Sequence, residues 1–263
     1  MEQPLISVII ACYNGEKYID ACLEALLNQT YQNIEIIVCD DASKDHSLKM
    51  LEAWAEKDRR IKVLSNEKNL YAAATRNRCL QEAKGKYIAI QDVDDISDVR
   101  RIEVLVESMK ASGVDFVSSA AGAFSTTPQH IEHVYRGKKE YPTRRSFLWG
   151  IPFFHPATLF TRECLLAVNG YRIAKETRRG QDYDLFMRLY AAGYKGKRIP
   201  DVLYYYREDA GNIKRRDFDS CIGEYTIRRK GFKALGLMPW AWPYTLKPFV
   251  SHLIHPIRYY GKR

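Results

Sequence analysis

The 263-residue chain lacks several features that mark other classes of protein. No apolar run approaches the ~20 residues of a membrane span. The best candidate, residues 237–260, is interrupted by four prolines and two charged residues. The N-terminus has no basic region ahead of its apolar residues, so it does not resemble a signal peptide. The six cysteines form no C-x-x-C pair and no zinc spacing. We therefore expect a protein of the reducing cytoplasm that can lie on a membrane without crossing it.

Two nucleotide-binding signatures are also missing. The turn after the first predicted strand reads ACYNG at residues 11–15, and not G-x-G-x-x-G, which disfavours a dinucleotide oxidoreductase. The same turn lacks the glycine-rich, basic loop expected of a sugar nucleotidyltransferase. There is no internal repeat and no low-complexity segment. With 46% hydrophobic and 28% charged residues, the composition is that of an ordinary globular protein.

Positive charge is concentrated near the C-terminus. The chain has 41 Lys and Arg against 32 Asp and Glu, and residues 195–263 hold 15 basic and 6 acidic residues, which accounts for the whole surplus. This region is also rich in Trp and Tyr, a combination typical of interfacial membrane segments. It can contact an anionic membrane or a phosphorylated substrate, form a solvated basic face, or pack on the protein as a helical lid. The basic run at residues 214–216 can likewise bind phosphate or face water.

Strand and helix patterns alternate along the first 120 residues. Apolar, β-branched runs predict strands at residues 7–12, 34–39, 61–64, 87–91 and 114–118. Helical spacing of apolar residues predicts helices starting near residues 19, 48, 71, 102 and 181. We expect Gly85 to stop the third helix and residues 125–145 to form a connecting loop. Largely apolar strands alternating with helices predict a mostly parallel α/β sheet covered on both faces.

Polar residues follow the strands at the carboxyl ends, where such sheets bind ligands. They are Tyr13, Asp40, Asp41, Asp92, Asp94 and Asp95. Carboxylates this close repel one another unless a cation neutralises them, so the D-x-D-D run favours a hard divalent cation with oxygen ligands. Such a cation can also bridge to a diphosphate. Alternatively, Asp95 and Asp98 lie at a helix N-terminus, where the helix dipole favours them. In the same way, Ser43 can cap the second helix, with Asp45 in its first turn.

Three stretches together resemble the family 2 glycosyltransferases, which are enzymes of the GT-A fold. They are SVIIACYNGEKYIDACLEALLNQTYQNIEIIVCDDASKD at residues 7–45, NLYAAATRNRCLQEAKGKYIAIQDVDD at residues 69–95, and GQDYDLFMRL at residues 180–189. The likeness is close as far as Asp95 and looser to about Arg207. It implies a Rossmann-like GT-A fold with a mostly parallel central sheet flanked by helices. A helical, basic and aromatic C-terminal tail is expected to follow.

The resemblance implies roles for the residues that bind the donor. Tyr13 would stack on the nucleobase, and Asp41 would hydrogen-bond its edge, usually uracil. Asp92 and Asp94 match the D-x-D motif. Asp94 would hold Mn²⁺ or Mg²⁺, with Asp92 near the ribose or the water shell of the metal. Arg76 lies where the family often has a basic residue near the donor.

The resemblance also implies an acceptor side. Asp182 matches the aspartate of the E-D motif, the general base, although it can also be a helix N-cap. His155 borders the acceptor side in the family, although it can also be a packed structural histidine. Gln181 replaces the usual glutamate, and Tyr71 replaces a common glycine, which predicts a narrower loop near the donor phosphates. The absence of Q-x-x-R-W favours the addition of a single sugar.

The implied function is inverting transfer from a nucleotide-diphosphate sugar, in particular a UDP-sugar, to a hydroxyl of a glycan or lipid-linked acceptor. We expect a nucleotide-sugar half at residues 1–120, an acceptor half at 121–210 and a membrane-associating tail at 211–263. The protein would work in the cytoplasm, at the inner face of the cell membrane. The alternatives are a non-catalytic nucleotide- or polyanion-binding protein and a nucleotidyltransferase. No nucleic-acid partner is expected, because carboxylates repel phosphate.

Overall fold

The computed structural model describes residues 3–208 and 218–259, with side chains as far as residue 253. Its strands are β1 (Ile6–Cys12), β2 (Ile34–Asp40), β3 (Ile61–Ser65), β4 (Tyr87–Asp92), β5 (Ile96–Ser97), β6 (Phe116–Phe124), β7 (His133–Tyr135), β8 (Thr158–Thr161) and β9 (Gly196–Arg207). Its α-helices are α1 (Ile19–Leu27), α2 (Ser47–Lys57), α3 (Tyr71–Glu82), α4 (Arg101–Ser112), α5 (Arg162–Ala167), α6 (Gln181–Ala191), α7 (Phe218–Ala234), α8 (Trp242–Thr245) and α9 (Lys247–Tyr259). Short 3₁₀ helices cover Arg144–Leu148, His155–Ala157 and Lys175–Thr177.

The strands of this described part form one sheet in the order β3-β2-β1-β4-β8-β6-β9-β5, with β7 paired to β6. Strands β1 to β4 are parallel to one another. Strand β8 lies antiparallel between β4 and β6, and β6 is parallel to β9. The prediction of a mostly parallel α/β sheet is confirmed. Because β1, β2 and β4 run the same way, their carboxyl ends meet at one edge.

Both faces of the sheet are buried because successive side chains of a strand point to opposite sides. On β1, Val8 and Ile10 pack in a core with residues of α1, α2 and α4. Ile9 packs in a second core with residues of α3, α5 and α6. Full burial of one large aliphatic side chain contributes about 1.5–3 kcal/mol. The two cores therefore explain why the strands read as nearly continuous apolar runs.

Two local predictions need correction. Gly85 does not stop α3, which ends at Glu82 with Ala83 as an extended C-cap. A Cβ on Gly85 would lie only 2.5 Å from the backbone nitrogen of Ser7, so glycine is needed there for close packing against β1. The stretch predicted as a loop at residues 125–145 contains β7 and the start of a 3₁₀ helix.

The C-terminal helices share the core of the sheet. Ile227 and Phe232 of α7, with Leu237 and Ala241 after it, are buried in the same cluster as the apolar residues of α6. The prediction of a helical tail is confirmed for α7, α8 and α9, while the basic run at 214–216 lies outside the described residues. All six cysteines are buried, and none of them forms a disulfide. Within the described ranges, no helix is long and apolar enough to span a bilayer.

Candidate active site

Tyr13 and Asp41 follow adjacent parallel strands, and a backbone hydrogen bond of 2.7 Å from Asp41 to Cys12 joins their turns. The Tyr13 side chain is exposed, while Asp41 is buried. Oδ1 of Asp41 accepts hydrogen bonds from Nδ2 of Asn66 (2.6 Å) and the backbone N–H of Leu70 (2.8 Å). Asp41 therefore fixes the loop after β3 to the edge of the sheet at which the turn with Tyr13 also lies.

The turn that carries Tyr13 is held by side chains from the β2–α2 loop. The backbone N–H of Asn14 donates to Oγ of Ser43 (2.9 Å), and Oδ1 of Asn14 accepts from the N–H of Lys44 (2.9 Å). Ser43 is therefore not the cap of α2, whose N-cap position is His46. An open cleft of about 410 Å³ adjoins the turn and is lined by Asn14, Glu16, Lys17, Tyr18, Lys44 and Asp45.

Arg76 of α3 pairs with Asp92 at the end of β4. Nη2 of Arg76 lies 2.5 Å from Oδ1 of Asp92, and the side chains are 7% and 29% exposed. The guanidinium carbon lies 5.8 Å from the centroid of the Tyr171 ring. Nε and Nη1 of Arg76 are buried without a hydrogen-bond partner in the described part of the chain. A buried unpartnered N–H costs about 1–3 kcal/mol, so this guanidinium is suited to receive an anionic ligand.

Asp95 is fully buried and anchors the loop that carries the other aspartates. It accepts hydrogen bonds of 2.8 Å from the Tyr204 hydroxyl and from the backbone N–H of Arg207. Burial, together with the charges of Asp92 and Asp94, raises the pKa of Asp95 well above its usual 3.8. Asp95 is not a cap of α4, which begins at residue 101. Burial is the main cause of this raised pKa, and the carboxylates of Asp92 and Asp94 lie close enough to add to it.

Asp92 and Asp94 are the candidate metal ligands at the end of β4. Among residues 3–208 and 218–253, no three His, Cys, Asp or Glu side chains are grouped to ligate a metal. Asp92 and Asp94 offer carboxylate oxygens, one of which is paired with Arg76. One or two carboxylates suffice for Mg²⁺-type binding when phosphates and water complete the coordination. The donor set therefore fits a divalent cation shared with a phosphate ligand, and it does not fit an all-protein metal site.

Asp182 lies in the first turn of α6, and Oδ1 accepts the backbone N–H of Tyr183 (2.8 Å). The N-cap is Gly180, whose φ is 116°, so the alternative that Asp182 is the cap is wrong. Burial raises the pKa of Asp182, the charge of Arg76 opposes that rise, and Asp92 adds to it. Asp182 therefore lies within electrostatic reach of the Arg76–Asp92 pair. A carboxylate with a raised pKa is a suitable proton acceptor.

His155 is buried, and its Nε2 lies 2.8 Å from the Tyr171 hydroxyl. Burial and the charge of Arg76 lower the pKa of His155 well below 6.5, so the ring is neutral at pH 7. His155 thus belongs to the wall against which the Tyr171 and Arg76 side chains pack. These are the contacts of a packed histidine, and its role on the acceptor side stays a prediction.

Tyr71, the residue found in place of the common glycine, has a φ of 67° and is 49% exposed. The guanidinium carbon of Arg178 lies 4.0 Å from the centroid of its ring. Tyr71 begins α3, and Arg178 precedes the α6 turn that holds Asp182. The ring therefore connects the loop beside the donor-side residues to the loop beside the proposed base.

Sequence reasoning missed Tyr171, Tyr204 and Arg207. Tyr204 also accepts the backbone N–H of Asp92 (3.1 Å), and Nε of Arg207 donates to the carbonyl of Asp94 (3.0 Å). Both residues belong to β9, which is more than 100 residues away in the chain. Their hydrogen bonds fix the backbone of the loop that carries Asp92 and Asp94. The only signal in the sequence is that β9 ends in a run of tyrosines followed by arginine instead of aliphatic residues.

The family model described as "Glycosyl transferase family 2" matches residues 7–166. EpsE of Bacillus subtilis (strain 168), which carries the name of a glycosyltransferase, is 33% identical over 99% of this chain and 94% of its own length. The Escherichia coli protein WfaP is 29% identical over 94% of this chain and 95% of its own length. Its name is UDP-Glc:alpha-D-GlcNAc-diphosphoundecaprenol beta-1,3-glucosyltransferase.

Solved structures share the fold at low sequence identity. Residues 1–349 of S. aureus TarS in complex with UDP-GlcNAc superpose with a TM-score of 0.73 at 20% identity, over 95% of this chain and 72% of that chain. The mannosyltransferase PcManGT from Pyrobaculum calidifontis, in complex with GDP-Man and Mn²⁺, gives a TM-score of 0.67 at 20% identity, over 95% of this chain and 75% of that chain. The mixed sheet flanked by helices is therefore the GT-A fold.

Proposed function

Because the chain belongs to glycosyl transferase family 2 and is thus an enzyme, we propose that it moves one sugar from a nucleotide-diphosphate sugar to an acceptor hydroxyl with inversion. The donor is a UDP-sugar, in line with the UDP-glucose in the name of WfaP. The acceptor is a glycan or lipid-linked oligosaccharide, in line with the diphosphoundecaprenol in the same name. Membership in an enzyme family sets aside the alternative of a non-catalytic binding protein.

The donor would lie across the carboxyl ends of β1, β2 and β4. The exposed ring of Tyr13 stacks on the nucleobase, and Asp41 hydrogen-bonds its edge. The two unpartnered N–H groups of Arg76 bind the diphosphate. Asp94 and Asp92 would hold Mn²⁺ or Mg²⁺ next to the diphosphate. When bound, the cation supplies neutralising charge for the departing nucleoside diphosphate.

Asp182 would act on the other substrate as the general base. Its carboxylate accepts the proton of the acceptor hydroxyl as that oxygen attacks the anomeric carbon from the face opposite the diphosphate. A single displacement inverts the configuration and needs no sugar–enzyme intermediate. Arg76 keeps the carboxylate ionised by opposing the rise that burial causes in its pKa. His155, through Tyr171, borders the acceptor side.

The observation that carries this proposal is the Arg76–Asp92 ion pair at the end of β4, in which Nε and Nη1 of Arg76 stay without a partner in the described structure. Asp182 on α6, Arg76 on α3 and Asp92 on β4 would supply this site with a half-buried base, a cation whose Nε and Nη1 have no partner in the described structure, and a strand-end carboxylate. Neither a nucleotidyltransferase nor a simple polyanion-binding site requires the half-buried carboxylate of Asp182 on α6. We therefore place the transfer reaction there.

The test is Asp182→Asn, with Asp201→Asn on exposed β9 as the matched control. We expect UDP-sugar turnover to fall by roughly a hundredfold or more in the first variant, because general-base catalysis supplies about 10²–10⁴. UDP binding should stay near normal. Nuclear magnetic resonance of the product should show the inverted anomer for the wild type. Unchanged turnover in Asp182→Asn, or a retained anomer, would contradict the proposed mechanism.

We also propose the setting in which the reaction takes place. Residues 1–120 bind the nucleotide sugar, residues 121–210 bind the acceptor, and the C-terminal tail, residues 211–263, contacts an anionic membrane. The enzyme works in the cytoplasm at the inner face of the cell membrane, where a lipid-linked acceptor is accessible.

A further inference from the structure

Three tryptophans are unusually exposed for residues of their size. Trp149 is 68% exposed, Trp240 50% and Trp242 53%. Trp149 directly follows the 3₁₀ helix Arg144–Leu148, in the proposed acceptor half, whereas the other two lie between α7 and the first turn of α8. Exposed apolar patches of this kind mark interaction sites on soluble proteins.

Side-chain contacts join these two segments into one surface. The ring centroids of Trp149 and Tyr244 are 5.2 Å apart. The guanidinium carbon of Arg145 lies 5.6 Å from the Trp240 ring, and Nζ of Lys247 donates a hydrogen bond to the carbonyl of Trp149. We call this surface the aromatic–basic face; its residues are Arg145, Trp149, Trp240, Trp242, Tyr244 and Lys247.

The sequences that build the face contain no acidic residue. Residues 141–162 have no Asp or Glu, and neither have residues 225–263, which hold eight Lys and Arg. The face is thus complementary to a negatively charged surface. Tryptophan and tyrosine rings settle at the headgroup level of a bilayer while Lys and Arg meet anionic lipid. The combination of aromatic and basic side chains favours a lipid surface over an apolar protein partner, because an apolar partner would not require the cations.

The aromatic–basic face is also connected to the proposed base. The carbonyl of Phe147, two residues before Trp149, accepts a hydrogen bond from the Tyr183 hydroxyl, and Tyr183 follows Asp182 in the chain. Arg228 is buried behind the face, and its Nη1 donates to the carbonyls of Leu148 (3.2 Å) and Tyr244 (3.4 Å). The hydrogen bond between Tyr183 and Phe147 thus connects the segment that carries Trp149 to the turn of α6 that carries Asp182.

We propose that the aromatic–basic face docks the enzyme on a bilayer that contains anionic lipid. This inference deepens the proposed membrane contact and rests on it: the surface is not the tail alone, because Arg145 and Trp149 come from the acceptor half. Docking through this face holds Asp182 at a fixed position relative to the membrane surface. A sugar carried on a membrane-anchored diphosphate would emerge from that surface towards the base.

The test is cosedimentation of the full chain with phosphatidylcholine vesicles, with and without phosphatidylglycerol. We expect strong binding only when phosphatidylglycerol is present. The triple variant Trp149→Ala/Trp240→Ala/Trp242→Ala should lose that binding. Arg145→Glu should weaken it by about tenfold or more, because each basic charge near an anionic surface contributes about fivefold. Lys110→Glu and Val99→Ala, at exposed positions elsewhere, are the matched controls and should bind as the wild type does.

Three results would overturn the proposal. The first is equal vesicle binding by the wild type and the triple variant, and the second is no binding by the wild type. The third is a dimer in light scattering that the triple variant abolishes, because a second copy would then occupy the face. Thermal melts check that the variants fold. If the triple variant does not fold, the single variant Trp149→Ala replaces it. Hydrolysis of the UDP-sugar in water should be unchanged in these variants, so failure of the catalytic proposal is measured separately.

Discussion

Replacing Arg76 with methionine separates a ligand-binding role from a structural one. Breaking a buried ion pair by removing one partner usually costs about 3–5 kcal/mol. Here the same substitution also removes two buried N–H groups without partners in the described structure, each of which costs about 1–3 kcal/mol. The two effects oppose each other, so we expect Arg76→Met to lower the free energy of unfolding of the ligand-free protein by no more than about 3 kcal/mol.

The stabilisation of the protein by bound UDP should change much more than its stability without ligand. Saturation at a hundredfold excess over Kd stabilises a protein by about 2.7 kcal/mol. A hydrogen bond to a charged group contributes about 1.5–3 kcal/mol, or roughly 10- to 150-fold in Kd. At the same UDP concentration, with Mn²⁺ present, the variant should therefore lose most of the stabilisation that the wild type gains.

Thermal melts with and without UDP measure both quantities. Arg60→Met is the matched control, because Arg60 pairs with Asp58 at 2.8 Å away from the site. The control should keep the full response to UDP, and so the comparison isolates the position of the guanidinium. A variant Arg76→Met that melts like the wild type in saturating UDP would refute the assignment of Arg76 to the diphosphate.

Further outcomes follow from the same site. A general base must be deprotonated, so activity should fall as the pH drops through the raised pKa of Asp182, above the usual 3.8. Arg76→Met should move this acidic limb to higher pH and Asp92→Asn to lower pH, as rate profiles would show. Because a raised folded-state pKa loses stability as pH rises through it, Asp182→Asn should melt above the wild type at pH 7. Tyr13→Ala should weaken UDP binding by about 5- to 150-fold in calorimetry, since stacking contributes about 1–3 kcal/mol.

The donor side of the fold could be predicted from the sequence because its strands are local patterns. Apolar runs alternate with helical spacing up to residue 120, and parallel strands must present their carboxyl ends at one edge. From that rule alone, Tyr13, Asp41 and Asp92 are predicted to lie at the same edge of the sheet. Strand β8 could not be predicted, because its four residues, Thr158–Thr161, have no distinctive periodicity. Its antiparallel insertion between β4 and β6 depends on tertiary pairing.

The assembly of the site was only partly visible in the sequence. A motif gives the position of Arg76 but not its pairing with Asp92, which depends on how α3 packs on the sheet. The role of Tyr204 depends on β9 lying beside the aspartate loop, a contact across 112 residues. The ambiguity of Asp182 between cap and base was resolved against the cap only when Gly180 was found at the N-cap position. Its role as the base stays a proposal.

In the proposed donor site, Asp94 and a bound diphosphate would share one divalent cation. Titration calorimetry of UDP with and without Mn²⁺, on the wild type and on Asp94→Asn, tests this sharing. We predict that Mn²⁺ tightens UDP binding to the wild type by at least about tenfold, or 1.4 kcal/mol, and that Asp94→Asn removes this difference. Equal UDP affinity with and without Mn²⁺ in the wild type, or an undiminished effect of Mn²⁺ in Asp94→Asn, would contradict the account.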